Sequence, residues 1–499
     1  MRKILIILPN NLGDVIMALP VLAGLKHRDP FCHITFFVED GYEGGLINSR
    51  FCDRIFKFNR KSIRDSIKNS NWVDGVKELR EIISDLKNEE FSEVINLSQH
   101  PYIAYVVSVL DRSVIKGRQI LRTGNQAIRD NWSQYLYAIP FAREYNKLHA
   151  TDVYKRVAAV SRHEEENFIK IGPEERTEAA RQLAGAGINP YSRIAVLQPG
   201  AAYAVKRWPV GNFTELGKML VRDGYWLIVT GAPAEREIAE SIASQLGSAC
   251  FSFAGRLSFR ETVALVDFCE ICITADTALM HAASALRKRV FSLFGPTNPV
   301  ETGPYGDGHL VFSGRCNRRP CFCFECRTQE CMKSITPEDV YAGINGSLTG
   351  KAGCDVYRSA IGARGDYELV PVTQNSVPYY DRDGASIIQK CFDPEYQIDS
   401  EIIADEKFRV RAEEFCNCVL EVETALGSFL KERKIEHIRR YDEIRQEMNK
   451  SIGINAFWNA VLNIKLNSIP IINATESVIE CQKACRETRL QIAGVFENK

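Results

Sequence analysis

The sequence has no surplus charge of either sign and no apolar segment long enough to cross a bilayer. Lys and Arg number 63, as do Asp and Glu, so the formal net charge is zero. This balance argues against bulk electrostatic capture of nucleic acid. A bilayer crossing needs about 20 apolar residues. The N-terminal apolar run stops at Pro9, which is also too short for a secretory signal. We therefore expect a cytoplasmic protein that binds no nucleic acid.

Two series of short apolar runs, separated by helical segments, indicate two parallel sheets buried on both faces. The first run is not followed by the Gly-x-Gly-x-x-Gly fingerprint of dinucleotide-binding domains. The sequence therefore gives little support for a nicotinamide or flavin cofactor. Ligands of such sheets lie at the carboxyl ends of the strands. The predicted strands are 2–8, 33–39, 93–97 and 114–117, then 194–198, 226–230, 271–274 and 290–294.

The alternation of predicted strands and helices ends near residue 351. Residues 354–373 are typical of a hairpin or an extended strap, and the amphipathic stretches 401–450, 455–469 and 474–493 predict helices. These helices need an apolar partner, which is either the rest of the chain or a second copy. We expect three domains, 1–175, 176–350 and 351–499. The apolar face of the longest helix comprises Phe408, Phe415, Val419, Val422, Leu426 and Phe429.

Two loops at predicted strand ends carry charged side chains. Asp14 opens a helical stretch of 14–26 after a glycine turn, where a carboxylate suits a general base. The alternative is an N-cap or first-turn acid, which stabilises a helix by about 1 kcal/mol. Lys206 follows a loop of small residues that leaves room for a diphosphate. Alternatively, Lys206 and Arg207 are a solvated basic pair beside a packed Trp208.

Two further loops place acids at helix starts. Asp276 and Thr277 suit sugar hydroxyls, while the following helix N-terminus suits phosphate. His281 lies one turn later, near Thr277. The alternatives are a helix cap at Asp276 and a buried core histidine at 281. Glu235, after Gly-Ala-Pro-Ala, suits a ribose hydroxyl or a cap.

Read in order, these loops resemble glycosyltransferase family 9, which contains the ADP-heptose:lipopolysaccharide heptosyltransferases. The resemblance covers residues 1–345 and rests on Gly13-Asp14 with Pro20, PGAAYAVKRWP, GAPAE, ADTALMH, FGPTNP and GPYG. It implies an α/β fold of the GT-B type, in which two Rossmann-like doubly wound domains face each other across a cleft. The acceptor would bind the first domain and a nucleotide-sugar donor the second. A mainly helical C-terminal extension would lie outside the family pattern.

The resemblance also implies inversion at the anomeric carbon and a role for each matching residue. Asp14 would be the base, Lys206 would contact the donor phosphates, Glu235 would lie near the nucleoside and Asp276 would hold the donor sugar. The stretch that wraps the diphosphate would contain Thr277, Ala278 and His281. Ala201 and Ala202 stand where the lipid-A-proximal subgroup has hydroxyl residues, and Ala278 where glycine is common. These departures leave the donor sugar and the acceptor open.

Five cysteines lie within sixteen residues. Cytosolic thiols favour a metal or free thiols over a disulfide scaffold, and four thiolates suit tetrahedral Zn²⁺ or an iron centre. Reduced thiols and a loop disulfide are the alternatives. The metal candidates are Cys316, Cys321, Cys323, Cys326 and Cys331. Neighbouring arginines suit anionic lipid or a phosphorylated acceptor instead; they are Arg315, Arg318, Arg319 and Arg327.

The expected partners are a nucleotide-sugar donor, with ADP-heptose favoured, and a glycolipid or glycan acceptor of the lipopolysaccharide core or a related bacterial glycan. Catalysis would need no cofactor. Peripheral contact with the inner membrane and self-association through the C-terminal helices are further expectations. A nucleotide-sugar epimerase and a non-catalytic sugar-nucleotide binder are the alternative functions. We interpret the metal-like triplet Asp381-Arg382-Asp383 as a surface turn.

Overall fold

The two predicted series of strands form two separate sheets. They are seen in a computed structural model of the chain, which describes residues 1–497 except 69–71, 111–113, 122–123, 162–167, 317, 319, 324, 349, 378–381, 394–405, 433–434, 451–453, 468 and 470–473.

The first sheet is parallel and has the strand order β3-β2-β1-β4-β5. Its continuous apolar strands are buried, as expected for a sheet covered on both faces. The edge strand β3 was missed because its sequence, RIFKF, is not a continuous apolar run: Arg54 and Lys57 are exposed and interrupt the apolar residues. The strands are β1 (Lys3–Ile7), β2 (His33–Glu39), β3 (Arg54–Phe58), β4 (Glu93–Asn96) and β5 (Val114–Lys116), followed by the small hairpin β6 (Gln119–Ile120) and β7 (Gln126–Ala127).

The predicted helix 14–26 is two helices, so that prediction was wrong. The chain turns at Ala18, and Pro20 lies at the second position of the next helix. Proline has no N–H to donate and is tolerated only in a first turn. The break leaves a short helix with Asp14 in its first turn. The helices of this domain are α1 (Leu12–Met17), α2 (Leu19–Arg28), α3 (Arg60–Lys68), α4 (Trp72–Asn88), α5 (Pro101–Ser108), α6 (Asn131–Ala138) and α7 (Ala150–Ala158).

The second sheet has the order β10-β9-β8-β11-β12-β13-β14-β15. Its first six strands are parallel, and the last two form the antiparallel hairpin predicted for 354–373. We therefore propose that the second domain extends to Pro371 rather than ending at 350. The strands are β8 (Ile194–Gln198), β9 (Trp226–Val229), β10 (Cys250–Ser252), β11 (Ile271–Ala275), β12 (Arg289–Phe294), β13 (Leu310–Ser313), β14 (Asp355–Ile361) and β15 (Tyr367–Pro371).

Eight helices in the described part of this domain connect and cover its strands. Most of them link parallel strands, as a doubly wound sheet requires. They are α8 (Pro173–Gly185), α9 (Val210–Arg222), α10 (Arg236–Leu246), α11 (Phe259–Val266), α12 (Ala278–Ala285), α13 (Pro299–Thr302), α14 (Glu330–Lys333) and α15 (Pro337–Ile344).

The C-terminal helices pack on one another and on the first domain. They are α16 (Arg382–Phe392), α17 (Glu406–Glu432), α18 (Ile435–Met448), α19 (Ile454–Asn467) and α20 (Ala474–Glu497). Helix α17 packs on α18 and α20, and α19 packs on α6 and β7. On the predicted apolar face, Phe415, Val419, Val422 and Leu426 are buried, so the chain itself covers that face. The side chains of Phe408 and Phe429 lie outside the described residues.

Two further sequence expectations concern this tail. The triplet interpreted as a surface turn begins at Asp381, which lies outside the described residues, while Arg382 and Asp383 begin α16 instead of forming a turn. None of the described helices combines the length and the apolar composition that crossing a bilayer requires.

A buried polar network joins the two domains at α7. The Asp152 carboxylate is fully buried. It accepts hydrogen bonds from the Tyr305 hydroxyl at 2.7 Å and the Tyr367 backbone N–H at 2.8 Å. The Lys155 ammonium lies 2.7 Å from the same carboxylate. Burial raises the pKa of Asp152, but Lys155, His149 and the Tyr367 N–H outweigh burial and hold that pKa below its ordinary value.

We predict that Asp152→Ala lowers the free energy of unfolding by about 3–5 kcal/mol, because it leaves the Lys155 charge buried without its carboxylate. Urea denaturation followed by circular dichroism measures this change. Glu178→Ala is the control, since its ion pair with Arg181 lies in solvent and should change stability little. Equal effects of the two substitutions would contradict the prediction.

Candidate active site

The predicted site residues follow the central strands of the two sheets. Asp14 lies just after β1, Lys206 after β8 and Asp276 after β11. In each sheet the strand order reverses at this point, between β1 and β4 and between β8 and β11. Open parallel sheets bind ligands at such a reversal. Helices α1 and α12 contact each other, which brings the loops of both domains together.

The contact between α1 and α12 depends on Gly13. A Cβ at this position would lie 3.1 Å from Cδ2 of His281, 3.5 Å from its Nε2 and 3.8 Å from the Ala278 Cα. Contacts of 3.1 Å to a carbon are tighter than side chains normally make. The absence of a side chain at residue 13 therefore lets the helix that carries Asp14 approach α12 closely.

Asp14 has the electrostatics of a base poised near neutrality. It lies in the first turn of α1, where Asn11 Nδ2 donates to its Oδ2 at 3.3 Å. Burial raises the pKa of Asp14 to about 6. Hydrogen bonds from Asn11 lower this pKa, whereas the nearby carboxylates of Asp276 and Glu301 raise it. A carboxylate with this pKa is ionised at neutral pH and binds a proton more readily than an ordinary aspartate.

Lys206 and Asp276 form a largely buried ion pair. The Lys206 Nζ lies 2.7 Å from Asp276 Oδ2, and their side chains are 16% and 10% exposed. Burial raises the pKa of Asp276, but the charge and hydrogen bond of Lys206 outweigh burial and hold it below its ordinary value. Thr277, not Asp276, is the N-cap residue of α12, so the alternative of a helix cap at Asp276 was wrong.

The neighbouring side chains of Lys206 and Arg207 make different contacts. Arg207 donates through Nε and Nη2 to the carbonyl of Ala201 at 3.1 and 2.9 Å, which fixes the loop. The Trp208 indole donates to the Ile335 carbonyl at 2.8 Å and is buried. Lys206 is therefore the residue of this pair that faces Asp276.

His281 and Thr277 line the start of α12. His281 is 6% exposed, and burial lowers its pKa to about 4; Asp276 opposes this and Lys206 adds to it. The ring is therefore neutral rather than cationic at physiological pH. The Thr277 hydroxyl lies 3.0 Å from that of Thr274 and does not cap α12.

Glu235 lies between the loops that follow β8 and β9. Its Oε2 accepts from the Ala232 N–H at 2.8 Å and from Gln198 Nε2 at 3.4 Å. The interpretation of Glu235 as a capping residue is therefore confirmed. A Cβ at Gly200 would overlap the Glu235 carboxyl group. Glycine at 200 is thus required for this placement.

Sequence reasoning missed Glu301. This residue lies on α13, and Arg143 Nη1 is 3.1 Å from its Oε1. Burial raises the pKa of Glu301, which Arg143 opposes. Asn298 donates to the carbonyls of Arg143 and Asn146 at 3.3 and 3.4 Å, which joins this helix to the first domain. The signal was a Pro-Val-Glu helix start whose proline is the last residue of the FGPTNP motif.

The cysteine cluster does not form a metal site within the described part of the chain. No group of three or more His, Cys, Asp or Glu side chains there is arranged to hold a metal ion. Each of the sixteen cysteines is a free thiol, so the loop disulfide is not formed either. Burial raises the pKa of Cys331 to about 11, helped by Cys316, Cys321 and Cys326 nearby. Cys323 is exposed.

The arginines near this cluster differ from one another. Arg315 Nη2 lies 2.6 Å from Oδ1 of the buried Asp355, so this arginine already has an anionic partner within the chain. Arg318 and Arg327 are exposed. Arg319 lies outside the described residues.

Proteins whose sequences are similar to this chain are named as heptosyltransferases. Lipooligosaccharide heptosyltransferase 2 of Haemophilus influenzae is 31% identical over 149 residues, which cover 28% of this chain and 42% of that protein. Lipopolysaccharide heptosyltransferase 1 of Pseudomonas aeruginosa is 25% identical over 333 residues, or 66% of this chain and 88% of that protein.

The fold is also that of solved glycosyltransferases. The structure of Escherichia coli ADP-heptose lipopolysaccharide heptosyltransferase II matches with a TM-score of 0.54 at 20% identity, over 69% of this chain and 98% of that one. The expected GT-B fold of two Rossmann-like domains, with a mainly helical C-terminal region added, is confirmed. The family model of glycosyltransferase family 9 (heptosyltransferase) matches residues 79–332, which is just over half of the 499 residues. The chain therefore belongs to glycosyltransferase family 9.

Proposed function

We propose that the chain transfers a heptose from ADP-heptose to a hydroxyl group of the lipopolysaccharide core or a related bacterial glycan, with inversion at the anomeric carbon. The observation that carries this proposal is the Asp14 carboxylate, with a pKa of about 6, set against the Lys206–Asp276 pair of the other domain. The names of the relatives support heptose as the sugar.

The reaction is a single displacement. The Asp14 carboxylate accepts the proton of the acceptor hydroxyl while that oxygen forms a bond to the anomeric carbon of the donor. The bond between this carbon and the diphosphate oxygen breaks, and its electron pair leaves with ADP. An acid whose pKa is near the working pH is suited to such a transfer.

The second domain stabilises the leaving group. Lys206 contributes a charge at the carboxyl end of β8, and the first N–H groups of α12 point along the helix axis toward an anion. When a diphosphate enters, Lys206 is shared between it and Asp276, and the neutral His281 adds an N–H donor. Charges placed in advance in a water-poor site are commonly the largest catalytic contribution.

We predict that Asp14→Asn and Asp14→Ala abolish heptose transfer, because the proton acceptor is lost, while ADP binding is retained. A coupled assay of ADP release measures the first property and calorimetry the second. The folded state raises the pKa of Asp14, so it disfavours the ionised form; Asp14→Asn should therefore melt no lower than wild type at pH 7. Wild-type turnover in either variant would remove Asp14 from the mechanism. Donor consumption without an acceptor would favour an epimerase.

The pH profile should report the same carboxylate. The base acts in its ionised form, so kcat/KM is expected to rise about tenfold per pH unit below pH 6 and to level off above it. Initial rates at low acceptor concentration measure this profile. A rise centred near pH 4 would show that Asp14 has an ordinary pKa and would contradict the proposed electrostatics.

We predict that Gly200→Ala raises the dissociation constant of ADP about tenfold, equivalent to about 1.4 kcal/mol. The new Cβ would displace Glu235, for which we propose a contact with the ribose. Isothermal titration with ADP measures the effect. Gly211→Ala is the matched control, because a Cβ there meets nothing within 4 Å and should leave binding unchanged. Equal affinities of the two variants would remove Glu235 from the nucleoside site.

A further inference from the structure

Helix α19 and the first domain enclose a cavity of about 520 Å³. From the tail, Ala456, Asn459, Ala460 and Asn463 line it at three- and four-residue steps, so they share one helix face. The two alanines leave the space open, and the two asparagines place amide groups along it. Opposite them lie Arg118, Gln126, Tyr137 and Phe141.

The cavity lies at the carboxyl edge of the first sheet. Arg118 follows β5, and its carbonyl accepts from Asn96 Nδ2 at the end of β4 at 2.7 Å. The Tyr137 hydroxyl donates to the carbonyl of Ser98. The Ser98 hydroxyl in turn donates to Asn10 Oδ1 at 2.9 Å, four residues before Asp14. Hydrogen bonds therefore connect the cavity wall to the loop of the proposed base.

The wall formed by the tail is polar and held in place. Asn459 and Asn463 donate to Asn449 Oδ1 at 3.1 and 3.3 Å. Arg445 donates to Asn463 Oδ1 at 2.5 Å. Amides offer both donors and acceptors, which suits the hydroxyls of a sugar. Phe141 is 68% exposed and supplies an apolar surface beside these groups.

Arg118 gives the opposite wall a positive charge. Its guanidinium donates to the Gln99 carbonyl at 3.4 Å and to Gln126, and lies 5.6 Å from the Tyr137 ring centre. No carboxylate of the described residues forms an ion pair with it. Its buried Nε has no hydrogen-bond partner there. A guanidinium in this state is suited to a phosphate or carboxylate group.

We propose that this cavity is an acceptor subsite for an acidic sugar, phosphorylated or carboxylated, and that the C-terminal extension supplies its outer wall. This inference rests on the proposed function, because the cavity lies on the acceptor side of that reaction. The volume is within the range of sites for small ligands. The sugar bound here would be a residue of the acceptor glycan other than the one that is glycosylated.

Saturation-transfer NMR on the full chain tests the proposal with glucose 6-phosphate, glucuronic acid and glucose at about 10 mM, where a millimolar site is largely occupied. At least one charged sugar should bind the wild-type protein more strongly than glucose. Arg118→Gln and Asn463→Leu should each reduce its signal at least fivefold. Arg439→Gln removes an exposed charge of α18 that does not line the cavity, and should retain the full signal.

The choice of sugars separates the two sources of charge. A response to glucose 6-phosphate alone identifies a phosphorylated acceptor, and a response to glucuronic acid alone a carboxylated one. Competition by inorganic phosphate as strong as that by glucose 6-phosphate would show an anion site without sugar recognition and would overturn the proposal. Absence of binding by both charged sugars, or equal binding by wild type, Arg118→Gln and Asn463→Leu, would also overturn it.

The assay needs neither donor nor turnover. If Asp14→Ala retained transfer, the proposed mechanism would fail while sugar binding in the cavity could still be measured. Conversely, loss of sugar binding with unchanged ADP affinity would overturn the subsite alone. A melting temperature within the range of wild type for Asn463→Leu excludes loss of folding as the reason for a lost signal.

Discussion

The close contact between α1 and α12 is the constraint on which the proposed site depends. It holds because residue 13 has no side chain where the His281 ring lies. The contact places an acid of the first domain within electrostatic range of Asp276 and Glu301 on the second. Three carboxyl groups this close together repel one another. Lys206 keeps Asp276 ionised, whereas the pKa values of Asp14 and Glu301 both remain raised.

The distribution of cations assigns the roles of these acids. Lys206 holds Asp276 in its ionised form, and Arg143 contacts Glu301. Asp14 has neutral amide partners instead, so burial dominates its pKa. Titratable groups of one site whose pKa values are driven apart commonly divide the acid–base and electrostatic tasks. Asp14 is thus suited to move a proton, and Asp276 to remain charged beside Lys206.

Much of this arrangement could be predicted from the sequence. Buried parallel strands such as β2 and β8 are continuous apolar runs, and the loops after them carry the family pattern. The edge strand β3 and the residue Glu301 could not be predicted in this way. Strand β3 is short and interrupted by exposed charged residues, and Glu301 acquires its surroundings only when Arg143 of the other domain contacts it. Contacts between distant segments leave little local trace in a sequence.

The C-terminal helices were also predictable only in part, because the sequence does not show which face of each helix contacts the first domain. Periodicity predicted amphipathic helices, and the buried Phe457 and Trp458 show that α19 has an ordinary packing face. The face toward Arg118 differs, since it carries alanines and asparagines where a helix serving only to cover the first domain would bury larger apolar groups. These residues give up the apolar burial that larger side chains would provide at this face. A ligand that fills the volume and bonds the amides would offset that cost, which is why we assign this face to recognition rather than to stability.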